Sequence, residues 1–368
     1  MPPKAADDTK NKLANRLWAA LNLNTKKTKG TGAVQVHRVT WRDGTTGKPS
    51  TETALVATFS FAALLVAVVY QNFHDAMIWM EWIESYKIFN ANVSWLDFCG
   101  SCVVCHAFRV SLEKSIKAGD ARIINMCKTA FGCYATTICT CTFLQFGGTT
   151  TTGAILGQYP SWLAGTHVFS AFLLAWWLTF CSPFDIWHFW MKTPWLMIPI
   201  KAFATISSAH AITSWGMEKA LNAEHERMRK SVWAALLCGF TSGSFGWVVV
   251  SYFETGGSAI VASAPSWAMQ RAWYLIWLYY ALTDPHGVLR AVGARLEGIS
   301  PVLSMLMMSP VSKSAGKVVV ATCCLVLQFA LDICCYDLLP HLNKFFAIFW
   351  RAIAPLKMDR VYIPPRSE

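Results

Sequence analysis

Residues 231–253 read SVWAALLCGFTSGSFGWVVVSYF, a run without a single charged side chain. At about 1.5 Å of helix rise per residue, such a run crosses a hydrocarbon core roughly 30 Å thick. Two further uncharged runs reach a similar length, Thr53 to Phe73 and Trp162 to Cys181. The whole chain is 54% hydrophobic and only 14% charged, well below the share of about 25% charged residues usual in a soluble domain. These runs define a polytopic membrane protein, all α-helical because helices satisfy their own backbone hydrogen bonds in lipid. Eighteen Trp and ten Tyr suit a chain that crosses the membrane–water boundary many times.

Working outward from that run gives about eight spans: 53–73, 93–110, 123–146, 162–181, 193–215, 231–253, one within 261–283, and 318–335. The first fifty residues hold ten Lys or Arg against three Asp, and read as a basic disordered arm. Basic segments beside spans stay in the cytosol, so both termini are expected there. The loop SLEKSIKAGDAR at 111–122 is basic and reads as cytosolic, while the uncharged GGTTTTGAILGQYPS at 147–161 reads as a lumenal loop. One connector, EKALNAEHERMRK at 218–230, breaks the pattern, because the span count puts its four basic residues in the lumen. The tail at 337–368 reads as an amphipathic segment on the cytosolic membrane surface.

The stretch CVVCH at 102–106 matches the attachment signature of a c-type haem. It falls inside an apolar run, however, with Cys99 one turn earlier. Cysteines at 99, 102 and 105 suit the small-residue face of a packed membrane helix. A b-type haem held by two of His106, His167 and His210 would make the protein a membrane oxidoreductase, and stands as the less favoured alternative. No P-loop, Gly-x-Ser-x-Gly or HExxH motif is found. The reading is therefore of a protein that is not an enzyme, with no metal and no cofactor assigned.

Chemistry is better sought at intramembrane glycines and at Lys201. Gly239 and Gly243 are four residues apart and share a helix face. They either pack helices closely or permit an unwound turn along a water-filled path, with Ser242 supplying oxygen. Lys201, the sole charge between Thr193 and Trp215, either faces a cavity or snorkels to the cytosolic side. Pro199 beside it is expected to kink its helix.

Short motifs in a fixed order then resemble one family. Phe131-Gly132-x-Tyr134, Pro183-Phe184-Asp185, Pro199-Ile200-Lys201, Gly239-x-x-x-Gly243-Ser244, Phe253-Glu254 and Pro310-Val311-Ser312-Lys313 are similar to motifs of the trimeric intracellular cation channels. The resemblance runs from about Trp95 to Cys335. It implies a channel domain at 93–336 whose seven helices form two inverted three-helix repeats plus one. The span at 53–73 is then an extra N-terminal helix, and 284–308 an insertion. It implies a homotrimer in the endoplasmic reticulum or another intracellular membrane, conducting potassium as countercurrent to calcium release. The conduction path would run beside Gly132, Lys201, Gly239, Ser242 and Gly243, with Tyr134, Pro183, Asp185, Pro199 and Glu254 as structural positions. Implied partners are potassium ions and membrane lipids, anionic phosphoinositides among them, and no nucleic acid. A scaffold or lipid-binding protein that conducts nothing is the rival reading. The chain departs from the family at Ser208, Ala209 and His210, which stand where the family has Lys-Glu-Val. It departs again at Ser242, where some members carry a lysine, and a pore without that lysine is expected to lose a positive charge.

Overall fold

The computed structural model describes residues 51–87, 93–255, 266–296, 309–334 and 336–353. The basic arm, residues 297–308 of the 284–308 insertion and the tail beyond 353 lie outside the described residues. Thirteen helices are named here. They are α1 Thr51–Gln71, α2 Phe73–Ser85, α3 Trp95–Lys117, α4 Ala121–Cys127, α5 Ala130–Leu156, α6 Thr166–Cys181, α7 Ile186–Met191, α8 Pro194–Ile212, α9 Val232–Thr255, α10 Trp267–Thr283, α11 Val288–Leu296, α12 Lys313–Asp332 and α13 Leu339–Ile353. Among the described residues there is no strand, only an isolated bridge between Lys87 and Ser94.

By length and composition, three helical stretches can cross a membrane: 52–71, 194–221 and 313–332. A fourth candidate is the bent pair of α6 with 183–191, whose axes differ by 88°. The bend sits at the Pro-Phe-Asp motif, where Phe184 and Asp185 both adopt positive φ, 54° and 61°. Of the remaining long helices, α3 and α5 carry polar residues or glycines that dilute their hydropathy, while α9 is apolar over Val232–Gly246.

One loop expectation is corrected. GGTTTTGAIL is helical and forms the second half of α5, which ends at Gly157 in a left-handed cap (φ 66°). Its four threonines do not expose their hydroxyls to solvent. Thr149 and Thr150 donate to Phe146 O, Thr151 to Gly147 O and Thr152 to Gly148 O. Back-bonding of this kind hides the polar atoms inside the helix, so an uncharged threonine run sits well in an apolar setting. The helix break falls earlier than expected, at 128–129, between α4 and α5. Thr129 there accepts from Gly132 N as the α5 cap.

The same segment explains how α5 meets α9. A Cβ on Gly147 would stand 3.0 Å from Gly246 Cα, and one on Gly148 would stand 2.5 Å from Ser242 O. Thr152 Oγ1 bonds Cys238 O at 3.1 Å and Thr241 Oγ1 at 3.0 Å across the contact. Without water between helices, such close backbone approach and interhelical bonding replace the hydrophobic effect as the source of association. On the other side, α3 packs on α6 and α8 through the cysteine face seen in the sequence. Cys99 and Cys102 are fully buried with Ala171, Ala175, Met197 and Ile200.

α8 runs unbroken past Pro199 and continues through a π turn, Thr213–Glu218, to Leu221. α1 is peripheral. Only Ala54 and Thr58 on it are buried, while Val56, Phe59 and Leu64 are about two-thirds exposed, a face suited to lipid. It docks on α12 through Phe61, which stacks on Phe329 with ring centroids 3.5 Å apart.

Candidate functional site

A cavity of about 570 Å³ lies between α3, α5, α8, α9, α10 and α12. Its wall is polar for a helix bundle this apolar. α8 contributes Lys201, Thr205, Ser207 and Ser208, and α9 contributes Ser242, Gly243 and Ser244. α3 and α5 add Asp97, Gly100, Gln145 and Thr149. His167 of α6, Arg271 of α10 and Gln328 of α12 also line it. Asp97 and Gly100 on α3, and Gln145 and Thr149 on α5, take places that an apolar residue would otherwise fill.

A charged network fixes one wall. Lys201 Nζ donates to Asp332 Oδ2 at 3.0 Å, and the two side chains are 12% and 9% exposed. Gln328 Nε2 donates to the same Asp332 oxygen at 2.7 Å, while its Oε1 accepts from Arg271 NH1 at 3.2 Å. Arg271 NH2 donates to Ser208 Oγ at 2.6 Å, and its guanidinium lies over the Trp267 ring, 4.8 Å from the centroid. The chain Lys201–Asp332–Gln328–Arg271–Ser208 thereby ties α8, α10 and α12 together. The α3 and α5 side carries Asp97 among otherwise neutral residues. Gly100 leaves room there for Gln145, whose Nε2 would stand 3.1 Å from a Cβ at that position. Ser242 Oγ is buried and has no hydrogen-bond partner.

Near one end, Glu84 of α2 also lines the cavity. It reaches His210 Nδ1 at 3.5 Å. Close by, Lys317 pairs with Glu218 at 3.1 Å, and Tyr279 Oη donates to Glu218 at 2.5 Å. Glu84 stands on the connector after the first apolar run. Burial raises its carboxyl above the ordinary value, against the lowering pull of Lys317.

Of the positions singled out in the sequence, Lys201, Ser242 and Gly243 share this cavity wall. Gly239 does not line it. It is pressed instead against Ile276, with a Cβ also 2.9 Å from Ile212 O. Gly132 lies in the first turn of α5, bonded to Thr129, away from the cavity. Tyr134 packs edge-on to Trp176 at 6.0 Å. Asp185, just after Pro183, accepts from Arg109 NH2 at 2.5 Å across 76 residues, and Arg109 also bonds Thr179 O and Glu113. Glu254 falls in the last turn of α9, and its side chain lies outside the described residues. Serine at 242 does not leave this cavity without cations, because Arg271 and Lys201 both stand on its wall.

The three histidines weighed for haem sit in separate settings. His167 lines the cavity, His106 packs against His188 with centroids 5.2 Å apart, and His210 joins Glu84. Among the described residues, no group of three or more His, Cys, Asp or Glu is placed to hold a metal ion. Arg271, Gln328, Asp332, Asp97 and Gln145 were not singled out by sequence reasoning. A rule that every ionisable or amide side chain inside an apolar run marks a cavity would have found them.

The sequence matches no protein-family model and no curated protein. Among solved structures, the chain is similar to a trimeric intracellular cation channel from C. elegans, determined in the absence of Ca2+. The identity is 14% and the TM-score 0.43, over 71% of this chain and 99% of that one. That protein is of the group whose motifs the sequence resembles. At this level of similarity, the argument for function rests on the chain's own residues.

Proposed function

We propose that the protein is a monovalent cation channel of an intracellular membrane, potassium its main ion, assembled as a homotrimer with a conduction path through the cavity of each subunit. The observation that carries this reading is the cavity itself. A space of about 570 Å³ inside a bundle of apolar helices, with Lys201, Arg271, Gln328 and several serine and threonine side chains on a largely apolar wall, supports the reading, because polar residues facing such a space are the usual mark of an ion or substrate route. Lys201, Ser242 and Gly243 belong to that wall, and Gly239 shapes α9 behind it. Eight spans, with seven arranged as inverted repeats and both termini in the cytosol, go with this reading. So do the endoplasmic reticulum as location and countercurrent to calcium release as role.

The test is a planar bilayer holding the purified protein under asymmetric potassium chloride. A single-channel reversal near the potassium equilibrium potential supports the reading. Silence across voltage and calcium conditions, from folded protein, refutes it.

A second reading is favoured by a specific observation. Gly147, Gly148 and Gly246 bring backbones into contact, as glycines do in a purely structural seam. A non-conducting scaffold would show assembly that fails on glycine substitution and no current in the wild type.

A further inference from the structure

Arg271 is 8% exposed, and among the described residues no carboxylate lies within ion-pair distance of it. Its two terminal nitrogens go to neutral acceptors, Gln328 Oε1 and Ser208 Oγ, and its Nε is buried without a partner. Asp332, the carboxylate of this network, is engaged by Lys201 at 3.0 Å and by the Gln328 amide at 2.7 Å. The network thus holds two cations and one carboxylate, and leaves the Arg271 charge without a carboxylate of its own. A buried cation without a counter-charge is costly, and such a cation commonly takes an anion from outside the chain.

Neutral donors stand beside it. Ser208 Oγ accepts from Arg271, which leaves its own hydrogen to give. Ser242, whose hydroxyl is unpartnered, lines the same cavity as Arg271 and Ser208. The other carboxylates on the wall are Asp97, in the first turn of α3, and Glu84, beside His210. Neither pairs with Arg271.

We propose that the cavity binds a small inorganic monovalent anion of the halide class at Arg271, with the Ser208 and Ser242 hydroxyls as its neutral donors. A guanidinium with serine donors inside a protein is a strong site for a compact anion, because charge-assisted bonds gain where water is scarce. Binding of the anion rests on this geometry alone. Its consequence for current rests on the channel reading: the bound anion offsets the Arg271 charge that would otherwise repel cations locally, so replacing chloride by gluconate lowers potassium conductance without moving the reversal potential away from potassium.

The experiment measures binding first. Purified full-length protein is titrated with potassium chloride against potassium gluconate at constant ionic strength. Saturable broadening of the chloride-35 resonance and a chloride-dependent rise in the unfolding midpoint are both followed. The wild type is expected to show both. Arg271→Gln should weaken chloride about tenfold or more, and Ser242→Ala should weaken it less while leaving the fold intact. Should Arg271→Gln not fold, the Ser242→Ala shift and the wild-type titration still decide. No saturable chloride binding by the wild type overturns the proposal, as does an Arg271→Gln protein that binds chloride like the wild type. Inorganic phosphate displacing chloride more effectively than bromide does overturns the halide assignment. Chloride binding in a protein that is silent in bilayers leaves the site standing and removes the channel reading. Current from a protein that binds no chloride does the reverse.

Discussion

Replacing Asp332 by Asn removes one charge from the cavity wall while keeping the side chain's shape. The Lys201 ammonium lies 3.0 Å from the carboxylate, with both side chains about nine-tenths buried. At an effective dielectric near 20, two unit charges at that distance attract by roughly 5.5 kcal/mol. Desolvation of both groups takes back a large part. The variant is worse off than that net suggests, because the lysine stays buried and loses its carboxylate. Loss of one partner of a buried pair costs about 3–5 kcal/mol, which for a chain this size lowers the unfolding midpoint by roughly 5 °C or more. The cleaner assay is a double-mutant cycle on purified protein, with Lys201→Met, Asp332→Leu and the pair together. Removing both charges should cost far less than the sum of the single changes, leaving a coupling of about 2 kcal/mol or more. A coupling below about 0.5 kcal/mol would refute the argument, since it would mean that each group has another source of compensation. In bilayers, Asp332→Asn also adds a positive charge to the wall and should reduce potassium current.

Gly148→Ala places a methyl 2.5 Å from Ser242 O and 2.6 Å from Thr241 O, both backbone atoms that cannot swing away. It should lower stability by roughly 1–3 kcal/mol, read by thermal unfolding, and an unchanged midpoint would mean that α5 and α9 do not pack this closely. Ser242→Cys, treated with a small methanethiosulfonate and compared with the treated wild type, whose Cys139 is exposed, should block current. Labelling confirmed by mass without block would take residue 242 off the conduction path. Phe61→Ala loses the stacked contact with Phe329, worth about 1 kcal/mol beyond its area. It should make α1 more accessible to protease while the unfolding midpoint of the bundle moves little.

The apolar runs made the membrane class legible, because a bilayer demands length and hydropathy and the sequence carries both. What escaped was any helix that mixes its allegiance. GGTTTTGAIL looked like a loop because glycine and threonine are poor helix formers in water. In the bundle, those glycines let α5 approach α9, and the threonines hide their hydroxyls on their own carbonyls. Arg271 looked like an interruption of an apolar run, and Asp332 and Gln328 drew no notice at all. Their meaning comes from partners 57 to 131 residues away, a distance over which residue spacing says nothing. The aspartate of Pro-Phe-Asp shows the same limit: its partner is Arg109, 76 residues away.

The two readings of the α9 glycines, packing seam or conduction wall, turn out to concern different faces of one helix. Gly246 and the carbonyl of Ser242 face α5, where nothing larger than glycine fits. Gly243 faces Ile212 and Ala272 and borders the cavity. The seam is therefore a condition for the cavity. By clamping α9 against α5, it fixes the position of Ser242 and Gly243 on the cavity wall they share with Ser208 and Arg271. A substitution at Gly148 that loosens the clamp should accordingly disturb anion binding at Arg271 although it touches neither residue. If Gly148→Ala lowers stability yet leaves chloride binding and current as they were, seam and cavity are independent, and the coupling argued from their shared helix fails.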